Sequence, residues 1–185
     1  MVYVMKTYLR NTTKARLCFI IAILLLINCQ GGQSTTEIPE TVYDGIRSAS
    51  DFAEMLETYP NGVLANRNGE HLRTQIMSFQ FVEGNRVFFC TGSEKPLYAQ
   101  LRAYPHVSYC IFPEDFEPVL SLNGQVVFTD DRELLDRVFA GTNYASEFIR
   151  RHYGTVDNPN LRLFYIDVIE IETYDYTGPK LYRTE

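Results

Sequence analysis

The stretch FFCTGSEKPLYAQL, Phe88–Leu101, starts as a strand and ends as a helix. Phe88, Phe89 and Cys90 are bulky and apolar, Thr91, Gly92 and Ser93 interrupt them, and Pro96, Leu97 and Leu101 follow at helical spacing. A small-residue turn that ends at a helix N-terminus, with Lys95 in the first turn, can seat an anion, because unpaired backbone N–H groups and the helix dipole both point there. An ordinary Ser N-cap with no ligand explains the same residues. The rest of the chain has to choose between the two.

Working outward, Phe52, Met55, Leu56 and Tyr59 mark a short amphipathic helix with Ser50 as its cap, stopped by Pro60, Asn61 and Gly62. A strand starts at Val63, Asn66 to Gly69 read as a hairpin turn, and the return strand runs from His71 to Val82. Glu83, Gly84 and Asn85 turn the chain into a third strand, Arg86 to Cys90. Beyond the helix, Tyr104 and Pro105 end the helical pattern, and strands follow at His106–Phe112 and Val119–Phe128, the latter bent around Gly124. Asp130 and Glu133 resemble a capping pair for a helix through Leu134, Leu135, Val138 and Phe139. Tyr144–Tyr153 forms another helix, and Leu161–Ile171 a final alternating strand. Five or six strands with three or four short helices predict an α+β domain built on an antiparallel β-barrel.

The start of the chain has a different character. Lys6, Arg10, Lys14 and Arg16 precede an apolar run, Leu17 to Ile27, that ends in Asn28, Cys29, Gln30 and two glycines, the order of an export signal. The run is shorter than the roughly 18 residues that suggest a membrane span. LLINC, Leu25–Cys29, resembles a bacterial lipobox, which makes Cys29 the lipidated first residue of the mature chain; plain secretion and a signal anchor are the alternatives. Residues 1–29 are then the signal, residues 30–45 a polar tether, and residues 46–185 the domain. The expected address is the bacterial cell envelope, with membrane contact only through the lipid or signal.

The whole chain has 17 Lys and Arg against 23 Asp and Glu, and the four basic residues ahead of Cys29 leave with the signal. The 13 that remain give the mature part a formal charge of −10. Such acidity argues against nucleic acid as a partner. Cys90 and Cys110 are the only later thiols, without CxxC or His-rich spacing, so no metal site is expected. Both lie in apolar strand-like runs, where a buried free thiol is commoner than a disulfide.

The period of two on the return strand puts His71, Arg73, Gln75 and Met77 on one face. A short turn joins this strand to the one leading into TGSEK, so the two are expected to be hairpin neighbours about 5 Å apart. Arg73 and Lys95 then approach one phosphate from two sides. A solvated strand face is the plain alternative.

Spread across Phe52 to Asp175, FAEMLETYPNGVLA, GEHLRTQ, FFCTGSEKPLYAQLRAYPHVSYCIF, NGQVVFTDDREL and LRLFYIDVIEIETYD resemble, in order, segments of the pyridoxamine 5′-phosphate oxidase-like family of FMN-binding split barrels. The resemblance implies a homodimer of split barrels with FMN at the subunit interface. It carries cofactor-binding roles to Arg73, Gln75, Thr91, Ser93 and Lys95. The chain departs from the family at Gln75, where a second Arg is common, at Glu94 inside the turn, and at Ser121 and Asn123 on the fifth strand. No catalytic acid or base stands out among His71, His106 and His152, and a flavin needs none for hydride or electron transfer. Two expectations follow: an envelope-tethered, FMN-dependent oxidoreductase acting on a small molecule or an electron acceptor, or a non-catalytic protein that holds a flavin, a haem or another anionic ligand on the same barrel.

Overall fold

The computed structural model describes residues 41–185. The expected export signal, Cys29 and most of the expected tether lie outside the described residues. The chain enters at β1, Gly45–Ile46, and passes a short 3-10 helix, Ala49–Phe52, and α1, Ala53–Thr58. Strands β2, Asn61–Asn68, and β3, His71–Ser78, form one hairpin; β4, Phe81–Glu83, and β5, Arg86–Gly92, form another. Helix α2, Pro96–Ala103, leads into β6, His106–Ile111, and β7, Val119–Thr129. Helices α3, Arg132–Ala140, and α4, Tyr144–Tyr153, precede β8, Leu161–Asp175, and β9, Gly178–Arg183.

The strands make one sheet in the order β1-β9-β8-β7-β6-β2-β3, with β5 also on β8 and β4 on β5. Strand β8 organises it. Its one edge runs along β7, while its other edge is shared between β5, from Leu161 to Asp167, and β9, from Glu170 to Asp175. The sheet therefore divides at β8, and it does not close, because β3 and β4 end its paired series. This is the α+β split barrel expected from the sequence, with β1, β4 and β9 added. The bend expected at Gly124 is a register shift between Asn123 and Gly124 against β8.

Strand β5 explains the unbroken apolar run of the opening stretch. Val87 and Phe89 point into the barrel core with Leu64, Tyr109, Leu122, Phe164 and Ile166. Phe88 and Cys90 point the other way, into a second core with Val138, Ile149, Tyr153, Leu161 and Leu163. A strand covered on both faces needs apolar residues at successive positions. Each fully buried Phe contributes about 1.5–3 kcal/mol relative to exposure, and both Phe88 and Phe89 are completely covered.

Three local readings are corrected. The first helical turn is capped by Ser48 rather than Ser50: the Ser48 hydroxyl accepts from Ser50 N, and the Asp51 carboxylate accepts from Ser48 N. Asp131, not Asp130, caps α3, accepting from Glu133 N and Leu134 N. The return strand does not run on to Val82. It stops at Ser78, where Phe79 N donates to Pro60 O and Gln80 N donates instead to Phe88 O, so the backbone leaves β2 and joins β5. Phe79 and Gln80 are both buried, which breaks the alternation that a single strand would keep. Strand β3 is thus not a neighbour of β5, and the expected 5 Å hairpin spacing between them is lost. Cys90 and Cys110 are both free thiols, on β5 and β6. No helix among the described residues is long and apolar enough to cross a membrane.

Candidate functional site

Strand β5 ends at Gly92, and Lys95 occupies the N-cap position of α2 with extended backbone, followed by Pro96 in the first helical turn. No side chain caps this helix, so the ordinary Ser cap is absent. The N–H of Ser93 donates to Asn160 O at 2.7 Å, and that of Lys95 donates to Gly92 O at 3.1 Å. Those two backbone donors are already engaged. Lys95 and the buried Thr91 are the side chains that this turn offers to an anion.

Both side chains line a cavity of about 800 Å³. Although β3 and β5 are not paired, Arg73 and Gln75 line the same cavity from β3, so four of the five expected residues share one space. Ser93 is not among the lining residues; its hydroxyl lies 3.4 Å from Asn160 Oδ1. Ser121 and Asn123 are not in the lining either. Arg73 and Lys95 are the cations of the lining, which contains no Asp or Glu. Neither makes an ion pair among the described residues.

A chain of amides joins two lining residues, Gln75 and Gln100, through Asn66. Gln75 Nε2 donates to Asn66 Oδ1 at 3.0 Å, and Asn66 Nδ2 donates to Gln100 Oε1 at 2.9 Å. Gln75 thereby ties β3 through β2 to α2. Asn66 is almost fully buried and belongs to β2, paired opposite Arg73, where the sequence reading placed a turn. The turn is at Gly69 and Glu70 instead.

The remaining wall comes from α4, whose Tyr144, Ala145, Phe148, Ile149 and Tyr153 fall on one helical face toward the cavity. Asn143 fixes the start of this helix, accepting from Ser146 N and donating to Gln80 O. Ser146 adds a hydrogen bond to Gln80 Oε1. Arg150 fastens the helix to the loop before it by donating to the carbonyls of Phe139 and Gly141. Tyr144, Phe148 and Ile76 are exposed and give the cavity an apolar lip, while of its two cations Arg73 is exposed and Lys95 half-buried.

Two groups of the lining are chemically unusual. Cys90 lines the cavity, and burial pushes its thiol up to about 12. Tyr153 is only 6% exposed, yet its hydroxyl has no hydrogen-bond partner among the described residues. Leaving such a group unpaired costs about 1–3 kcal/mol. Burial first, then the charges of Glu94 and Cys90, push its phenol up to about 12. Lys95 Nζ stands 5.8 Å from the centre of its ring.

No protein-family model matches the sequence, and no curated relative does either. Solved structures do match. General Stress Protein 26 from Bacillus anthracis str. Sterne is 17% identical with a TM-score of 0.60, over 72% of this chain and 96% of that one. A pyridoxamine 5′-phosphate oxidase-related, FMN-binding protein from Nostoc punctiforme is 14% identical with a TM-score of 0.52, over 73% and 87%. A heme-binding protein from Mycobacterium smegmatis is 16% identical with a TM-score of 0.59, over 74% and 58%. At these identities the likeness is one of fold, and the fold is the split barrel of the pyridoxamine 5′-phosphate oxidase-like proteins.

Proposed function

We propose that this domain binds FMN and works as an FMN-dependent oxidoreductase on a small molecule or electron acceptor, as a homodimer tethered to the bacterial envelope through Cys29. The observation that carries the reading is the cavity shared by Arg73 and Lys95, with no carboxylate in its lining, in a chain of net charge −6. A dianionic phosphate suits these two cations, and a flat apolar ring suits the lip of Ile76, Met77, Tyr144 and Phe148. When bound, a flavin supplies hydride or electron transfer from its own ring system. This chain's residues bind and orient it: Arg73 and Lys95 as cations, Thr91 as a hydroxyl partner, and Gln75 by holding β3 against Asn66. A second reading, a non-catalytic carrier of a haem or flavin, is supported by the shared fold of the Mycobacterium smegmatis heme-binding protein.

The test is a titration of FMN and riboflavin into the wild type, Arg73→Ala and Lys95→Ala, followed by fluorescence quenching. Charge-assisted hydrogen bonds of roughly 1.5–3 kcal/mol apiece predict about tenfold to a hundredfold weaker FMN binding in each variant. Riboflavin, which lacks the phosphate, binds all three alike. Equal FMN affinity in all three overturns the phosphate assignment. Bound FMN that is reduced and reoxidised through an added acceptor favours the oxidoreductase over the carrier.

A further inference from the structure

Three linked amides beside the cavity have one possible orientation. Asn66 Nδ2 donates to the backbone carbonyl of Arg67 at 3.1 Å and to Gln100 Oε1 at 2.9 Å, which uses both of its protons. A backbone carbonyl only accepts, so the Arg67 contact settles which end of the Asn66 amide is nitrogen. The Asn66 oxygen then accepts from Gln75 Nε2 at 3.0 Å. The two glutamines are thus held in opposite senses, Gln75 by its nitrogen and Gln100 by its oxygen. Each keeps its other end free. Gln75 Oε1 is an acceptor, Gln100 Nε2 is a donor, and neither has a hydrogen-bond partner among the described residues. Both atoms are accessible, because the Tyr153 hydroxyl is the only unpaired side-chain N or O sealed from solvent among the described residues. Both glutamines are half-buried and line the cavity, whereas Asn66 is 2% exposed and is not part of the lining.

We infer that Gln75 and Gln100 form an acceptor–donor pair that reads the polar edge of the ligand's ring: Gln75 Oε1 takes a hydrogen bond from a ring N–H, and Gln100 Nε2 gives one to the neighbouring ring carbonyl. The ligand class is a cyclic amide or imide. The inference rests on the proposed reading of the cavity as a flavin site, since the isoalloxazine has such an edge, and it names the residues that tell that ring from an apolar one of the same shape. Asn66 brings the pair together, because one amide holds Gln75 from β3 and Gln100 from α2. A site built to hydrogen-bond a ligand N–H rejects the analogue that lacks it, because the site's own polar groups are then left unpaired.

Gln100→Glu keeps an oxygen for Asn66 Nδ2 and turns the free end from donor to acceptor. Gln75→Glu makes the same change of charge but sets an oxygen against Asn66 Oδ1. The proteins and Gln75→Ala are titrated with FMN, riboflavin and 3-methylriboflavin, whose ring N–H is replaced by N–CH3, and ligand-free melting temperatures are compared. The wild type is expected to bind 3-methylriboflavin about tenfold more weakly than riboflavin, and Gln75→Ala to bind the two alike. Gln100→Glu is expected to weaken riboflavin and FMN equally, by about tenfold, while melting ligand-free at the wild-type temperature; Gln75→Glu melts several degrees lower. Riboflavin affinity unchanged in Gln100→Glu overturns the inference, and a loss confined to FMN does so too, since it reports only repulsion of the phosphate by the added charge. A preference for riboflavin over its methyl derivative that persists in Gln75→Ala overturns the role of Gln75. Gln100→Glu melting below Gln75→Glu overturns the amide orientation. A wild type that binds no flavin refutes the flavin reading alone, and uridine 5′-monophosphate against its 3-methyl derivative, which carry the same edge on a smaller ring, then decides the amide pair. Affinity for none of these probes overturns both.

Discussion

Replacing Gly62 by Ala should cost this domain about 3 kcal/mol. Gly62 is buried in β2, opposite Met77 of β3. A Cβ built there lies 2.6 Å from the carbonyl oxygen of Cys110, 2.6 Å from Ile111 Cγ2 and 2.6 Å from Tyr109 Cζ. Carbon contacts relax near 3.5–4.0 Å, so each neighbour has to retreat by about 1 Å. Tyr109 has nowhere to go: it is fully buried, and its hydroxyl donates to Met77 O at 3.1 Å with Pro60 O 3.4 Å away. Overpacking of this kind costs about 1–3 kcal/mol, and losing the Tyr109 hydrogen bond adds about 1. The smaller entropy of an unfolded Ala chain returns about 0.5 kcal/mol. For a domain of residues 41–185, a loss of that size lowers Tm by roughly 10 °C. Urea unfolding followed by circular dichroism measures it, with an unchanged slope required for the comparison. The control is Gly69→Ala, where nothing lies within 4 Å of a Cβ but φ is +65°; the left-handed backbone alone costs it about 1 kcal/mol. A Gly62→Ala loss no larger than that of the control refutes the close-contact argument.

Two further outcomes are expected. In the native protein, Cys90 should resist a thiol reagent at pH 8 and react only on unfolding, because its thiol ionises near 12, whereas the partly exposed Cys110 should react first; equal rates for the two, resolved by Cys90→Ser and Cys110→Ser, would contradict the burial of Cys90. Cells grown with a fatty-acid analogue should label the wild type and not Cys29→Ser; equal labelling, or none in either, removes the lipid anchor.

The strands and helices that carry a single periodic face were legible in advance. From Ile166 to Ile169 β8 alternates between buried and exposed positions, although its start is covered on both faces by the two cores, and α4 was legible from its stop at Gly154. The break at Phe79 and Gln80 was not legible, since both residues look like a continuation of the strand and only the exchange of partners from Pro60 to Phe88 ends it. Asn66 misled for a related reason: Asn favours turns locally, but here tertiary hydrogen bonds to Gln75 and Gln100 hold it inside a strand. Arg73, Gln75, Thr91 and Lys95, expected from strand periodicity, turn chemistry and the family resemblance, line one cavity, although the strand pairing that was to join Arg73 to Lys95 does not exist. Tyr153 gave no signal at all. At the end of an amphipathic helix it reads as one more core aromatic, and an unpaired hydroxyl becomes visible only when its surroundings are known.

Gln80 sits where the two halves of the cavity are sewn together. Its carbonyl and its side-chain amide oxygen are both held by α4, through Asn143 and Ser146, while its N–H is held by β5 and its chain continues from β3. The wall bearing the aromatic lip and the strands bearing Arg73 and Thr91 are therefore fastened to one residue. That fastening sets the spacing of the wall and the strands, which on the proposed reading leaves little ordering to oppose binding. On the proposed flavin reading, such a cavity would work as a length gauge, accepting ligands whose ring and anion are separated by the right reach and turning away shorter or longer ones that carry the same chemistry.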